Sequence, residues 1–338
     1  MKENIRFAHL ADLHLGAFRE KTLTNLNFLT FKKAIEKIIE EKLDFALFSG
    51  DIFNNAMPPL ELVQKVTIEI MKLKKAQIPL YIIGGSHDYT LSQNSFIELL
   101  AQTQIFYDLS KPKFLENNKV ELKFIKDTCG ANISGILGKK NGLDKLYYEN
   151  LNETNLEKNK LNIFMFHALI DDFKPDFLKS ISSNINKSFL PKGFDYYAGG
   201  HVHTHMQGKY DTGIISYPGP LFPNNFSELK TEEPSFNLCE FETKTRNLKI
   251  ERIFIKTYEK ILIKIDLDEL NPIFAREKIL REIEKYNLEN KIILLELKGI
   301  IEGKINDIGI SSISQIIYEK GAKILLKNTY KLTSSLLK

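Results

Sequence analysis

Seven histidines, His9, His14, His87, His167, His201, His203 and His205, are the residues of this chain best suited to chemistry. All sit at or near the end of a predicted strand, and none lies on a helix face or after residue 245. A histidine by itself is most often a satisfied structural residue. Five of these, His14, His87, His167, His201 and His203, share strand ends with Asp12 and Asp51. In an α/β sheet the carboxyl ends of the strands converge on one rim, where such folds place their sites. Imidazoles and carboxylates without thiolates suit borderline divalent metals such as Mn²⁺, Zn²⁺ or Fe²⁺. Few carboxylates among many nitrogens point to a shared bridge, with two ions ~3.5–4 Å apart across one aspartate, the arrangement used for in-line displacement at phosphorus. Two cations neutralise phosphate oxygens and make hydroxide accessible near neutral pH. A further histidine that is not a ligand can stabilise the pentacoordinate state or protonate the leaving oxygen. His9 lies inside the first strand and reads as a buried or core residue, and His205 as structural or exposed.

The elements that must hold these residues alternate between apolar strands and amphipathic helices. Strands are expected at 5–10, 44–48 and 80–83, with helices between them, the first carrying Phe28, Phe31, Ile35, Ile38 and Ile39 and the second opened by Pro58 and Pro59. The rhythm argues for a mostly parallel sheet with helices outside. Further strands are expected at 120–126, 131–137, 161–166, 196–198 and 214–217. After about residue 245 strands at 260–266 and 291–299 flank a helix from 272 to 286. The expected organisation is therefore a first domain over 1–245 and a smaller α/β domain over 255–338.

Composition sets the outer bounds. At 338 residues, 43% hydrophobic and 27% charged, the chain exceeds one ordinary domain of ~100–200 residues and can bury a core. Intrinsic disorder, collagen-like fibres and disulfide-stapled mini-proteins are excluded. Forty-seven basic and 43 acidic residues give a net charge of +4, compatible with a polyanion partner without requiring one. Cys129 and Cys239 have no metal-type spacing and read as reduced thiols. No apolar run approaches the ~20 residues of a membrane span, and the first residues do not read as a secretory leader, so the expectation is a cytoplasmic protein with no membrane partner.

The motifs Asp12-Leu13-His14, Gly50-Asp51, Gly85-Ser86-His87-Asp88, His167 and Gly200-His201-Val202-His203 resemble, in order, those of the calcineurin-like metallophosphoesterases. The finer resemblance is to the nuclease subunit of the double-strand-break repair complex, called SbcD in bacteria. It rests on the stretches 7–16, 49–53 with Pro58-Pro59, 194–201, and Tyr217-Pro218-Gly219-Pro220. The resemblance implies an αββα sandwich, two packed β-sheets flanked by helices, with a C-terminal capping domain that helps hold DNA. It implies two divalent metal ions, most often Mn²⁺. Asp12, His14, Asp51 and His203 would hold the first, and Asp51 would bridge to a second that also takes His167 and His201. His87 would face the scissile phosphate without being a ligand, and Asp88 would support the site from behind.

Two positions depart from the family pattern. Ser86 stands where the family has an asparagine ligand to the second metal; its hydroxyl is shorter and a poorer donor. Asn54 stands where related nucleases carry a histidine or aspartate that orients the catalytic histidine, and its side-chain amide is expected to hydrogen-bond His87. The activities implied are 3′-to-5′ exonuclease on duplex DNA and endonuclease at single-stranded or hairpin structures. The partners implied are DNA, an SbcC-type coiled-coil ABC ATPase, and a second copy of the chain through the helix at 59–76 and the segment 94–101. The apolar stretch 324–337 is the one candidate for docking the ATPase. Two rivals are a small-molecule phosphodiesterase or phosphatase of the same fold, and a DNA-binding scaffold with an impaired second metal site.

Overall fold

The computed structural model describes residues 2–90, 95–116, 119–152, 156–175 and 185–337. In chain order the elements are β1 (Asn4–Leu10), α1 (Lys21–Glu40), β2 (Phe45–Ser49), α2 (Leu60–Lys75), β3 (Leu80–Ile83), α3 (Phe96–Ala101), β4 (Tyr107–Asp108), β5 (Lys113–Phe114), β6 (Val120–Glu121), β7 (Phe124–Lys126), β8 (Ala131–Ile136) and α4 (Lys145–Glu149). They continue with β9 (Leu161–His167), β10 (Tyr196–Gly200), β11 (Met206–Tyr210), β12 (Gly213–Tyr217), α5 (Phe226–Thr231), β13 (Ser235–Glu242), β14 (Asn247–Phe254), β15 (Lys260–Asp266), α6 (Pro272–Glu284), β16 (Ile292–Ile301), α7 (Ile310–Glu319) and β17 (Ile324–Ser334).

The first compact unit comprises residues 1–224 and 233–255 and contains two six-stranded sheets. One runs β14-β13-β1-β2-β3-β4 and the other β11-β12-β10-β9-β8-β7. Phe-Ala-Leu-Phe-Ser of β2 and Leu-Asn-Ile-Phe-Met-Phe-His of β9 are buried at every position. Such largely apolar, fully buried runs suit parallel strands covered on both faces. Phe7, Phe45, Tyr81, Ile163, Met165 and Tyr196 form one core, in which the Phe7 and Phe45 rings stack at 4.9 Å. A separate core joins the first sheet to α1, through Phe31, Ala34, Ile35 and Ile38, and to α2, through Val63, Val66, Ile70 and Leu73. The apolar positions recur three and four apart, the period that places them on one helix face. The Glu20 carboxylate caps α1 by accepting from Leu23 N at 2.7 Å. The second sheet is covered by α4 and irregular segments, through Tyr148, Ile170, Ile185 and Leu190. This is the expected layered sandwich.

The second unit comprises residues 225–232 and 256–338. Its parallel sheet, β15-β16-β17, packs α6 and α7 over Ile263, Ile265, Ile293, Leu295 and Leu325. Lys260 Nζ donates to the carbonyls of Leu229 and Glu232, which ties α5 to this unit. The division falls after Ile255, at the far end of the interval left between the two expected domains, because β14 completes the first sheet, and residues 225–232 join the second unit.

Two expectations about elements change. The stretch 120–126 is not one strand: β6 pairs with β5 and β7 with β8. The stretch 324–337 is not a spare docking segment. Residues 324–334 form β17, hydrogen-bonded along β16 with Ile324, Leu325 and Leu332 buried. Among the described residues no helix is long and apolar enough to cross a membrane.

Candidate metal centre

The parallel strands β1, β2, β3, β9 and β10 deliver the site from their carboxyl ends. Asp12 and His14 follow β1, Asp51 follows β2, Ser86 and His87 follow β3, His167 is the last residue of β9, and His201 and His203 follow β10. The loops are fastened to one another by main-chain bonds, Asp12 N to Gly50 O at 3.1 Å and His14 N to Asp51 O at 2.9 Å. Asp12, His14, Asp51 and His201 all adopt positive φ, at 50°, 41°, 52° and 86°. Non-glycine residues avoid this region, and such strain collects at functional sites where surrounding structure enforces it.

Among the described residues, three groups of side chains place their donor atoms within 4.8 Å of one another: Asp12, His14 and His203; Asp51, His167 and His201; and His14, Asp51 and His87. Asp51 Oδ2 lies 3.6 Å from His14 Nε2 and 3.2 Å from His167 Nε2. His203 Nε2 lies 3.6 Å from Asp12 Oδ1 and 3.1 Å from His14 Nε2. Asp51 therefore stands between the two sets of histidines. Main-chain donors hold both carboxylates: His201 N at 3.0 Å from each oxygen of Asp12, and His87 N at 2.8 Å from Asp51 Oδ1.

Electrostatics separates the rings. Burial pushes His14 down to about 4. Burial acts on His167 in the same direction, but the Asp51 and Asp12 carboxylates outweigh it and lift that ring to about 10. Burial would raise both carboxyls, yet the neighbouring imidazoles hold Asp12 and Asp51 below the usual carboxylate range. His167 Nδ1 donates to Ser49 O at 2.8 Å, which fixes Nε2 as the nitrogen facing the carboxylates.

These residues fit divalent cations. His14 Nε2 and His203 Nε2 face each other at 3.1 Å, where a pair of ring nitrogens can share only one proton, while carboxylate oxygens crowd the same space. A nitrogen and oxygen donor set of this kind is completed by a borderline or hard cation.

The remaining site residues are placed as follows. Ser86 is half-buried and its hydroxyl donates to Asp51 Oδ2 at 3.4 Å. The Asp88 carboxylate accepts from Gly85 N, Ile52 N and Phe53 N at 2.8, 3.1 and 3.0 Å, clamping the β2 and β3 loops together. Asn54 does meet His87, but through its main-chain carbonyl, which accepts from His87 Nδ1 at 2.8 Å. The expected amide contact is thus replaced by one that any residue at 54 could make. His9 is buried with Nδ1 2.7 Å from the Tyr196 hydroxyl, and His205 is half-buried.

The motif glycines Gly50 and Gly200 have a packing role that the sequence did not disclose. A Cβ on Gly50 would fall 2.2 Å from His167 Nδ1, and one on Gly200 would fall 1.9 Å from Ser49 O. Gly200 stands in the doublet Gly199-Gly200 beside a motif histidine, which was the available signal. Ser49, whose carbonyl orients His167, carries no side-chain signature at all.

A family model described as calcineurin-like phosphoesterase matches residues 5–205. The DNA double-strand break repair protein Mre11 of Methanocaldococcus jannaschii is 30% identical over 268 residues, covering 77% of this chain and 69% of that protein. The protein of the same name from Methanococcus maripaludis is 30% identical over 239 residues, 67% of this chain and 59% of its own length. That from Sulfurisphaera tokodaii is 28% identical over 307 residues, 86% of this chain and 73% of its own length.

Proposed function

The chain belongs to the calcineurin-like phosphoesterases, and from that premise we propose that it is a manganese-dependent DNA nuclease of double-strand-break repair. Its activities are 3′-to-5′ exonuclease on duplex ends and endonuclease at single-stranded and hairpin structures. The observation that carries this reading is the position of Asp51 Oδ2 between His14 and His167, 3.6 and 3.2 Å away, which suits one carboxylate shared by two cations. The substrate class is supported by the relatives' common name.

Asp12, His14, Asp51 and His203 would hold the first cation, and Asp51, His167 and His201 the second, with Ser86 beside it. The cations supply neutralisation of the phosphate oxygens and a lowered pKa for the attacking water. His87, with Nδ1 committed to the Asn54 carbonyl, presents Nε2 as the nitrogen that gives a proton to the leaving oxygen. Asp12 and Asp51, held by main-chain donors, keep the ligand geometry rigid through turnover.

The reading extends to partners. Met57, Leu60, Ile68, Met71 and Leu99 are exposed on and around α2 and α3, and Leu60 is 76% accessible. This second apolar face of α2 supports a homodimer; of the segment 94–101, residue 94 lies outside the described residues. The second unit acts as the capping domain, with Lys327 and Lys331 exposed on β17 as DNA contacts. A coiled-coil ABC ATPase gates the site, and the complex works in the cytoplasm.

The test is digestion of end-labelled duplex, single-stranded and hairpin oligonucleotides beside a chromogenic phosphodiester, with Mn²⁺, Mg²⁺ or chelator. Cleavage of DNA with Mn²⁺ that chelator abolishes is expected. Hydrolysis of the chromogenic ester alone would replace this reading with a small-molecule phosphodiesterase.

A further inference from the structure

We infer that a cleft beside the metal-ligand cluster is a stacking subsite for one unpaired nucleotide adjoining the scissile phosphate. The inference rests on the nuclease reading and names the part of the substrate that the site takes. The cleft has a volume of about 350 Å³ and is lined by Ser86, Tyr89, Lys111, Phe114, Lys140 and Tyr147 among others. That size lies at the lower end of small-molecule sites and suits a single nucleotide.

Its inner wall is shared with the metal centre. Ser86 lines the cleft while its hydroxyl reaches Asp51 Oδ2 at 3.4 Å. Gly138 lines it too, and packs so closely on the cluster that a Cβ there would fall 2.6 Å from His167 Cδ2. An occupant therefore sits next to the reacting phosphate along the strand.

The outer wall is aromatic and basic. Phe114 on β5 is 59% exposed and meets the Tyr147 ring of α4 edge-on at 5.3 Å. A largely exposed phenylalanine on so short a strand adds little to a core, and the residue lines the cleft instead. Lys139 Nζ lies 4.7 Å from the Tyr147 ring centroid. Lys111 is paired with Glu98, and Lys139 also feels the buried Asp144, whereas Lys140 has no ion pair among the described residues. An exposed phenylalanine ring beside a half-buried tyrosine, with lysines around them, is chemistry that receives a splayed-out base and its phosphate. A base within a duplex is stacked and paired and cannot enter, so the subsite selects strands with an unpaired nucleotide at the cut. Because every base has a π-face, the selection is for structure and not for sequence.

The same chemistry would accept a free nucleoside monophosphate, and the test separates the two. The full chain, in chelator, is mixed with oligonucleotides bearing 2-aminopurine at successive positions of a single-stranded 3′ overhang, or with free 2-aminopurine deoxynucleoside monophosphate. Stacking quenches the fluorophore. Wild-type protein is expected to quench it in the oligonucleotide at one or two positions. Phe114→Ala and Tyr147→Ala are expected to lose the quench and to bind the overhang about tenfold more weakly, with circular dichroism and Mn²⁺ uptake like wild type. Phe114→Tyr restores stacking. Undiminished quenching in Phe114→Ala, failure of Phe114→Tyr to rescue, or quenching of the free nucleotide alone would overturn the subsite. If wild type shows no quenching at any position in chelator but cleaves the same oligonucleotides in a parallel reaction with Mn²⁺, the subsite falls and the nuclease reading stands; if it neither binds them in chelator nor cleaves them with Mn²⁺, both fall.

Discussion

His87 Nδ1 donates to the main-chain carbonyl of Asn54 at 2.8 Å. A carbonyl can only accept, so the bond fixes the tautomer without using the Asn54 side chain.

Asn54→Ala should therefore leave the pH–rate profile unchanged and cost less than about tenfold in kcat, whereas His87→Ala should cost about 10²–10⁴-fold. Both variants should take up Mn²⁺ like wild type. A shifted pH profile in Asn54→Ala would assign the orienting role to the amide after all.

Ser86 offers the second cation a short hydroxyl already engaged with Asp51 at 3.4 Å. Activity should therefore require unusually high Mn²⁺, and Ser86→Asn, which supplies a longer amide carbonyl, should lower the Mn²⁺ needed for half-maximal rate. Superimposable metal titrations of the two proteins would refute this.

Gly200 ends β10 where the His167 ring bonds to Ser49. In Gly200→Ala the added carbon, 1.9 Å from Ser49 O and 2.7 Å from His167 Nδ1, forces those loops apart. Destabilisation of about 1–3 kcal/mol is expected, read as a lower thermal midpoint together with weaker Mn²⁺ binding. An unchanged midpoint would mean that the loops yield freely.

Asp144 is buried, and burial lifts its carboxyl from 3.8 to about 6. The folded chain then holds this proton more tightly than the unfolded chain, so stability falls as pH rises from about 4 to 6 and stays lower above that window. Asp144→Asn should stabilise the protein by up to about 3 kcal/mol at neutral pH, and hardly at all at pH near 4. Denaturant melts at both values check this; an equal gain at both would remove ionisation as the cause.

How far the sequence discloses the site differs from residue to residue. Asp12, His14, Asp51, His167, His201 and His203 were legible as a cluster because so many imidazoles and carboxylates share strand ends, and the structure brings their donor atoms together. The strands β1, β2, β3 and β9 were legible because each is a short, mostly apolar stretch that leads into a site residue or a glycine turn. β17 was not, since Lys327 and Lys331 interrupt its pattern and an edge strand of a small sheet tolerates them. The meeting of Asn54 with His87 was legible, but not that the main-chain carbonyl makes it, because a carbonyl leaves no trace in residue type. Phe114 and Tyr147, which meet only through tertiary folding, stand on separate elements with no spacing to betray them.

The claim on which the rest depends is that one carboxylate, Asp51, serves two cations. Calorimetric titration of Mn²⁺ into the metal-free chain, with electron paramagnetic resonance on the loaded protein, addresses it directly. Two Mn²⁺ per chain with coupled spins are expected, and Asp51→Ala should eliminate the coupling and weaken both sites. A single uncoupled ion, or two ions whose binding survives Asp51→Ala, would contradict it.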